Sequence, residues 1–475
     1  MTAKVEEVRH HSPKEPQPAF LYPNQIYAWY VVGVLVLAYT FSFIDRQILS
    51  LLVQPMKHDL AISDTQMSLL QGFAFAIFYT LMGLPIGRMV DHRRRVTIIT
   101  AGVFIWSLMT VLCGTAKAYW QLFIYRMGVG VGEAALSPAA YSMIADYVPP
   151  KRMGLALGVY GMGVYIGAGL ALVIGAEVIA LVSGMQTTML PGLGEIYPWQ
   201  IVFFAVGLPG ILIAAWIWTL REPARRSFQQ APSPHPHINT ATAIPLPEVL
   251  AYMRANWIAL TCHNMAYAFS AMAIYGLAAW IPTFFIRTHG WTVVEAGRGY
   301  GWIIVIFGTA GVVIGGLISD FLASRGIRHG RMLTIAATGL AAAPFALAYP
   351  LVANPYAALA LLVPATFFAS LITGASPAAI QELMPNQMRG FASAVMLFAG
   401  NIIGLGLGPT SVALVTDYVY ENEQMLRYSL AYVPFGILLA SSAIGFAGLK
   451  PYRKSLDYLE RWSLKNKNNT NKSIR

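Results

Sequence analysis

Residues 119–148 read YWQLFIYRMGVGVGEAALSPAAYSMIADYV, a bilayer-length apolar segment that carries Arg126 and Glu133 inside it. A spanning helix needs about 20 apolar residues, and a charge near the bilayer centre costs roughly 3 kcal/mol or more. The two charges are two helical turns apart and share one helix face, which must look at a polar cavity or at partner charges. The segment also carries three glycines that would let a neighbouring helix approach closely: Gly128, Gly130 and Gly132.

The composition of the whole chain is that of an integral membrane protein. Of its 475 residues, 56% are hydrophobic and only 11% are charged, whereas a soluble domain is about 25% charged. The two cysteines, Cys113 and Cys262, lie in separate apolar segments, which indicates neither a disulfide framework nor a metal site.

The hydropathy pattern predicts twelve spanning helices in an all-α membrane fold, because an unpaired backbone is not tolerated in lipid. The predicted spans are 28–53, 66–88, 96–115, 119–147, 154–184, 199–220, 257–286, 293–322, 332–350, 356–383, 390–417 and 428–449. The chain then divides into an N-terminal tail (1–27), a six-helix bundle (28–220), a Pro-rich linker (221–250), a second six-helix bundle (251–449) and a basic tail (450–475). The segment after Tyr452 ends in a low-complexity run and is predicted to be disordered.

The basic residues are distributed unevenly across the predicted loops. With twelve spans, both termini lie on one side, and that side collects most of the positive charge. Its basic residues are Arg88, Arg93, Arg94, Arg95, Lys151, Arg152, Arg221, Arg225, Arg226, Arg254, Arg325, Arg328, Arg331, Arg389 and those of the tail. The opposite loops hold Lys57, Lys117, Arg287, Arg298 and Arg427. The positive-inside rule therefore predicts cytoplasmic termini in a plasma or inner membrane, and the net charge of +11 reflects topology and not a nucleic-acid partner.

The two halves repeat two short motifs at similar offsets. Gly87-Arg-Met-Val-Asp91 at the end of span two is matched by Gly316-Leu-Ile-Ser-Asp320 at the end of span eight. Ser137-Pro-Ala-Ala140 in span four is matched by Ser376-Pro-Ala-Ala379 in span ten. Matched motifs in register predict a duplicated six-helix unit, and such halves place a substrate site at their interface near mid-membrane.

The loop between spans two and three carries a marker of a known family. GRMVDHRRR at residues 87–95 resembles the Gly-x-x-x-Asp and basic-residue loop of the major facilitator superfamily. The family pattern has a basic residue after the Asp and a Gly three residues on, where this chain has His92 and Arg94. The turn is therefore expected to differ in detail from the family's.

The fourth span adds a second family marker. Arg126, Gly130 and Gly132 match the superfamily's Arg-x-x-x-Gly-x-Gly signature. The resemblance covers residues 28–449 and implies two pseudo-symmetric six-helix bundles.

Finer features are similar to those of spinster-like transporters, a group that moves lysophospholipids and sphingosine phosphate. These features are Asp45-Arg46 in span one, Gly132-Glu-Ala134, Trp280-Ile-Pro282 in span seven, and Trp199 with Leu208-Pro-Gly210 in span six. Organic-anion:proton symporters share several of them. The resemblance implies either an amphipathic or a small organic anion as substrate.

Four ionisable residues within spans one and four are the main functional candidates. Asp45, Arg46, Arg126 and Glu133 make a set without net charge, and in the superfamily both spans line the cavity. A static pair that holds helices together is the plainer alternative, but intramembrane ionisable residues are functional by default.

These residues suggest a mechanism of proton coupling by Asp45 or Glu133. A proton on one acid neutralises the carboxylate and so ends its ion pair with an arginine. The freed guanidinium then suits a phosphate or carboxylate headgroup. Arg46 and Arg126 are accordingly predicted to bind substrate. The sequence leaves symport and exchange open.

The cavity walls are expected from spans one, four, seven and ten, with contributions from five and eleven. The candidate wall residues are Phe43, Tyr275, Tyr160, Tyr165 and Asn401. Plain packing is the alternative role for each of them.

A second site is expected at the cytoplasmic end of span two. Family logic makes Asp91 a latch between the halves, facing the N-terminal end of span eleven near Gly390, where the helix dipole favours a negative charge. The same gate includes Gly87, Arg93, Arg94 and Arg95, with Asp320 as its weaker copy in the second half.

The sequence therefore predicts a proton-coupled secondary transporter of an anionic amphipathic substrate that works by alternating access. A small organic anion:proton symporter is the alternative. A membrane enzyme or receptor is disfavoured, since no nucleotide loop, metal-ligand cluster or nucleophile triad is present. We expect no cofactor, contacts with protons, substrate and membrane lipids, and a monomeric protein.

Overall fold

The computed structural model describes residues 24–184, 188–190, 194–223, 246–385 and 388–473. The first half of the chain forms α1 (Gln25–Ile48), α2 (Val53–Leu60), α3 (Asp64–Ser68), α4 (Ala74–His92), α5 (Arg95–Cys113), α6 (Tyr119–Glu133), α7 (Leu136–Tyr147), α8 (Pro150–Ser183), β1 (Thr188–Leu190), β2 (Gly194–Ile196) and α9 (Pro198–Trp218). The second half forms α10 (Leu246–Ala255), α11 (Trp257–His289), α12 (Val293–Ile303), α13 (Thr309–Ser324), α14 (Gly330–Ala348), α15 (Pro355–Glu382), α16 (Arg389–Ala399), α17 (Leu407–Leu414) and α18 (Leu426–Ser473).

Several spans contain turns of another helix type. Wider π-helical turns occupy Leu69–Phe73 between α3 and α4, Ile304–Gly308 between α12 and α13, Gly400–Gly406 between α16 and α17, and Val415–Val419 after α17. Each of the first three turns therefore connects two α-helices of the same span without an intervening loop.

Within the described residues, eleven helices are long and apolar enough to cross a membrane. They correspond to the predicted spans except the fourth, which consists of α6 followed by α7. The break at Ala134 and Ala135 has a local cause: Pro138 has no N–H to donate to the Ala134 carbonyl, and its ring crowds that turn. The prediction of an all-helical membrane fold is confirmed.

The short strands β1 and β2 were not predicted. They pair antiparallel between α8 and α9, with Met189 opposite Glu195, and Gly194 takes a φ of +73° that favours glycine. This hairpin lies outside the spanning helices.

The prediction that the segment after Tyr452 is disordered is wrong. Helix α18 continues to Ser473, and the Tyr452 hydroxyl donates to the Ala379 carbonyl and to Glu382. Arg328 pairs with Asp457 at 2.8 Å. These contacts hold α18 in place beyond its membrane-spanning part. The hydropathy pattern was used to find segments of spanning length, so it did not predict this extension.

Corresponding helices pack in the same pairs in both halves. Helix α1 packs on α8, α5 on α9 and α4 on α6; in the second half, α11 packs on Gly400–Gly406, α14 on α18 and α13 on α15. Across the halves, α8 meets α12, and α4 meets Gly400–Gly406. The architecture is therefore two matching helix groups joined along these two seams.

We call the side of the molecule where α1 begins the terminal face, and the side where α1 ends the opposite face. The seams are tight toward the opposite face. A Cβ on Gly169 would lie 2.6 Å from the Gly301 carbonyl oxygen, and one on Gly301 would lie 2.8 Å from the Gly169 carbonyl oxygen. Toward the terminal face, a Cβ on Gly87, Gly158 or Gly161 would meet no atom of the described residues within 4 Å. The two halves are thus closed together at the opposite face and apart at the terminal face.

Candidate functional site

A cavity lies between the two halves, with about 1310 Å³ of empty space when its opening to solvent is included. Its wall is formed by α1, the π-helical turn Leu69–Phe73 and α8 from the first half, and by α11, α12, α15 and the region of Leu405–Pro409 from the second.

The two walls of the cavity differ in chemistry. The first half contributes its charged and amide groups, namely Arg46, Gln47 and Gln71, together with Ser50. The second half contributes a largely apolar wall that includes Ala271, Ile274, Leu277, Ala278, Ile281, Ile304, Leu362 and Leu405, with tyrosines and a few hydroxyls among them. The first half therefore supplies the charged and amide groups of the cavity wall, and the second half supplies a largely apolar wall.

Arg46 is the charged residue of the cavity wall, and it is paired with Glu133. Both Nε and Nη2 of Arg46 lie 2.6 Å from Oε2 of Glu133, and the Ser42 hydroxyl donates to the same oxygen at 2.5 Å. The side chain of Arg46 is 11% exposed and that of Glu133 is 0% exposed. Oε1 of Glu133 has no partner among the described residues. Among the described residues, Oε2 of Glu133 therefore makes all of these contacts, and Oε1 is unengaged.

Three aromatic rings surround the Arg46 guanidinium. Its Cζ lies 4.6 Å from the ring centroid of Phe43, 4.4 Å from that of Phe75 and 4.9 Å from that of Tyr79. Such cation–π contacts stabilise a desolvated cation by about 2 kcal/mol in favourable cases. They keep the guanidinium at the cavity wall even though water is scarce there.

Asp45 and Arg126 form a second pair that lies outside the cavity lining. Nη1 of Arg126 is 3.4 Å from Oδ1 of Asp45, and the Thr110 hydroxyl donates to Oδ2 at 2.7 Å. Both side chains are at most 2% exposed, and Nε and Nη2 of Arg126 have no partner in the described part of the chain. The four charged residues come together, as predicted, but they form two separate ion pairs. Of the four, only Arg46 lines the cavity.

The predicted aromatic wall residues divide in the same way. Phe43, Tyr165 and Tyr275 line the cavity. Tyr160 does not: it is fully buried within the first half, where it stacks on Tyr39 with ring centroids 4.5 Å apart. Asn401 lies in the π-helical turn Gly400–Gly406 and is not part of the lining. The sequence indicated which helix carries each residue, but not whether that residue lies on the helix face toward the cavity.

Sequence reasoning missed eight polar lining residues: Gln47, Ser50, Gln71, Tyr267, Tyr300, Thr366, Ser370 and Thr373. Two glutamines within apolar spans were a usable signal, because an uncharged amide in lipid also carries a cost. Nε2 of Gln47 donates to the Ala278 carbonyl across the halves at 2.8 Å. The amide of Gln47 therefore links the polar wall to the apolar one.

A cluster of charged residues joins the halves at the opposite face, and the sequence did not predict it. Asp64 of the first half accepts from Lys57 and, at 2.6 and 2.8 Å, from both Nη atoms of Arg287 in the second half. Glu423 completes the cluster, 2.6 Å from Lys57 and 3.1 Å from Arg287. Asp64 is 0% exposed and Arg287 5%. We call these four residues the opposite-face cluster; it fastens the closed end of the cavity.

The predicted terminal-face gate is only partly visible. The side chain of Asp91 lies outside the described residues, so its role as a latch stays a prediction. Gly87 faces open space, and Arg93 and Arg94 are exposed. Asp320 is 68% exposed and pairs with Arg331 at 3.2 Å within its own half.

Arg95, also predicted for the gate, is buried within the first half. It is 1% exposed and bonds to Asp146, to Glu222 at 2.8 Å and to the Pro223 carbonyl at 2.9 Å, all in the first half. Burial acts against the charged form of Glu222, but the Val96 N–H and the Arg95 guanidinium outweigh it and hold the pKa of this carboxyl below its usual range. Arg95 therefore ties α5 to the ends of α7 and α9, because its position at the first turn of α5 points it into the bundle.

The seam glycines permit a matched test of the closed state. Gly169→Ala is expected to lower transport roughly fivefold or more, because its Cβ would meet the Gly301 backbone and overpacking costs about 1–3 kcal/mol. Gly436→Ala should leave transport and thermal stability unchanged or slightly improved, since Gly436 is an exposed residue of α18 with no described atom within 4 Å of its Cβ position, and both changes gain helix propensity. Transport in vesicles and thermal unfolding of the two variants check this. Equal losses at both positions would contradict a tight seam at Gly169.

The chain is similar to known membrane proteins over most of its length. A family model described as the Major Facilitator Superfamily matches residues 35–409. An MFS-type efflux pump of Mycolicibacterium smegmatis is 29% identical over 431 residues, which are 90% of this chain and 94% of that protein. A probable galactarate/D-glucarate transporter of Bacillus subtilis is 24% identical, covering 85% of this chain and 88% of that protein.

A solved structure shares the fold. It is the crystal structure of a bacterial homologue of the human lysosomal transporter Spinster in an inward-facing and unoccupied conformation. The TM-score is 0.73 and the sequence identity 28%, over 92% of this chain and 98% of that one.

Proposed function

Because the chain belongs to the Major Facilitator Superfamily, whose model matches residues 35–409, we propose that this membrane transporter moves an anionic amphipathic substrate, of the lysophospholipid or sphingosine-phosphate type, by proton-coupled alternating access. The observation that carries the proposal is the two-sided cavity. A cationic and amide wall from the first half faces an apolar wall from the second, which suits a molecule with a charged head and a hydrocarbon tail.

Proton coupling follows from the way Glu133 holds Arg46. A proton on the unengaged Oε1 neutralises the carboxyl while Oε2 keeps its contacts. Arg46 is then a buried cation without a counter-charge, a situation that costs several kcal/mol. An anion that enters the cavity restores neutrality, so protonation of Glu133 and anion binding favour one another. Loss of the proton returns Arg46 to Glu133 and releases the substrate.

The charge distribution supports an orientation with the terminal face in the cytoplasm of a plasma or inner membrane, since basic loops stay on that side. The open terminal face then makes this state inward-facing, the conformation in which the bacterial Spinster homologue was solved. Asp91 is the proposed latch that closes the terminal face in the alternate state.

A small organic anion is the second candidate, favoured by the similarity to the probable galactarate/D-glucarate transporter. The same Arg46 site would bind a small carboxylate. The apolar wall would then have no function in substrate binding.

Chain-length dependence of binding separates the two candidates. Each buried methylene contributes about 0.8 kcal/mol, so dodecyl phosphate should bind the protein in lipid nanodiscs at least roughly tenfold more tightly than octyl phosphate. D-glucarate should not compete. Arg46→Gln should weaken both alkyl phosphates, because it removes the cation of the cavity wall.

The control variant is Arg298→Gln, which removes an exposed cation that is not part of the cavity lining. Affinity that is independent of chain length, together with competition by D-glucarate, would establish the small-anion alternative in place of the amphipathic substrate.

A further inference from the structure

Gln71 is a buried amide without a hydrogen-bond partner. Its side chain lines the cavity, the residue is 7% exposed, and neither Oε1 nor Nε2 has a partner among the described residues. Buried polar groups are almost always paired, so each exception needs an explanation. Gln47 in the same wall shows the contrast, since its Nε2 donates to Ser50 and to the Ala278 carbonyl.

The backbone that presents Gln71 is itself irregular. Gln71 is the middle residue of the π-helical turn Leu69–Phe73, and such turns are frequent at functional sites. The neighbouring Gly72 packs against the Leu405 backbone of the other half, which fixes the backbone position of this turn at the seam. The geometry therefore holds an unsatisfied donor and acceptor at the cavity wall.

The positions of Gln71 and Arg46 can be related through Phe75. Phe75 follows Gln71 by about one helical turn, and the Arg46 guanidinium lies 4.4 Å from the Phe75 ring centroid. Gln71 and Arg46 therefore lie on the same wall of the cavity. A substrate whose charged group binds Arg46 therefore lies in the same cavity as the Gln71 amide.

We propose that Gln71 is the subsite for a hydroxyl group of the substrate, on the same cavity wall that binds its anionic group. This inference rests on the proposed function and names the substrate class more narrowly: a hydroxyl-bearing phosphate amphiphile of the lysophosphatidate type. A hydroxyl both donates and accepts, which matches the free Oε1 and Nε2 of one amide.

The test compares two ligands that differ by this hydroxyl. 1-O-dodecylglycerol 3-phosphate has a free 2-hydroxyl, and its 2-deoxy analogue lacks it. In nanodiscs, the unchanged protein should bind the hydroxyl ligand about tenfold more tightly, because the deoxy ligand leaves the amide unpaired. Gln71→Leu should abolish this preference while binding of the deoxy ligand is kept. The ligand-free Gln71→Leu protein should also melt at a higher temperature, because an unpaired buried amide is removed.

The outcomes separate the two proposals. A preference that persists in Gln71→Leu, or equal binding of both ligands by the unchanged protein, overturns the Gln71 subsite and leaves the proposed function standing. No binding of either ligand, or binding that Arg46→Gln does not weaken, overturns both. Should Gln71→Leu fail to fold, Gln71→Met and the ligand comparison in the unchanged protein give the same decision.

Discussion

Glu133→Gln should reduce uptake driven by a pH gradient at least roughly tenfold, while binding of dodecyl phosphate is kept or strengthened. Glutamine cannot release a proton, so Arg46 has no anionic partner to return to when substrate must leave. An unpaired buried charge costs about 3–5 kcal/mol, and the bound anion supplies the missing counter-charge. Proteoliposomes with an imposed pH gradient give the uptake, and nanodiscs give the affinity.

Two further variants make this result specific. Glu248→Gln removes an exposed carboxylate of α10 and should change neither quantity. Asp45→Asn acts on the pair with Arg126, which does not line the cavity, and should keep the pH dependence. If the pH dependence were unchanged in both Asp45→Asn and Glu133→Gln, proton coupling through these acids would be refuted.

Asp64→Asn should open the closed end of the cavity. Its carboxylate takes bonds from Lys57 and Arg287 while 0% exposed, and loss of one partner from a buried pair costs about 3 kcal/mol or more. This is roughly a hundredfold change in the balance between states. A cysteine at Ala278, on the cavity wall, should become reactive to an impermeant maleimide added at the opposite face, in a background without Cys113 and Cys262.

The chain offers a matched control for this prediction. Arg298 and Glu177 also join the halves at the opposite face, 2.6 Å apart, but their side chains are 60% and 43% exposed. Exposed pairs contribute about 0–1 kcal/mol, so Arg298→Gln should barely change the labelling. Equal labelling in Asp64→Asn and Arg298→Gln would show that burial of the cluster does not decide closure.

Much of the candidate site could be predicted because charge within an apolar span is conspicuous in a sequence. Asp45, Arg46, Arg126 and Glu133 were identified in this way, and the structure brings them together. Their pairing could not be predicted, since Arg46 is adjacent in sequence to Asp45 yet bonds to Glu133. Which of two successive residues faces the cavity depends on the rotation of α1 against its neighbours.

Gln71 and the opposite-face cluster were missed for different reasons. A single glutamine in a span carries no charge, and its significance lies in the absence of a partner, which only a packed structure reveals. Lys57, Asp64, Arg287 and Glu423 lie near helix ends, where charges are expected in solvent. The burial of Lys57, Asp64 and Arg287 depends on how the halves meet, whereas Glu423 is 52% exposed.

The membrane class, the helical character of the spans and the duplicated plan of this protein follow from its amino-acid sequence alone. These properties depend on the length and apolarity of single segments and on motifs repeated along the chain, and the bilayer selects helices of that length whatever their neighbours. Which ion pairs form, which wall is apolar and which end is closed emerge only when the two halves pack together. Such features are set by distances of a few ångströms between groups far apart in the chain, because charge pairing and packing weaken steeply beyond contact.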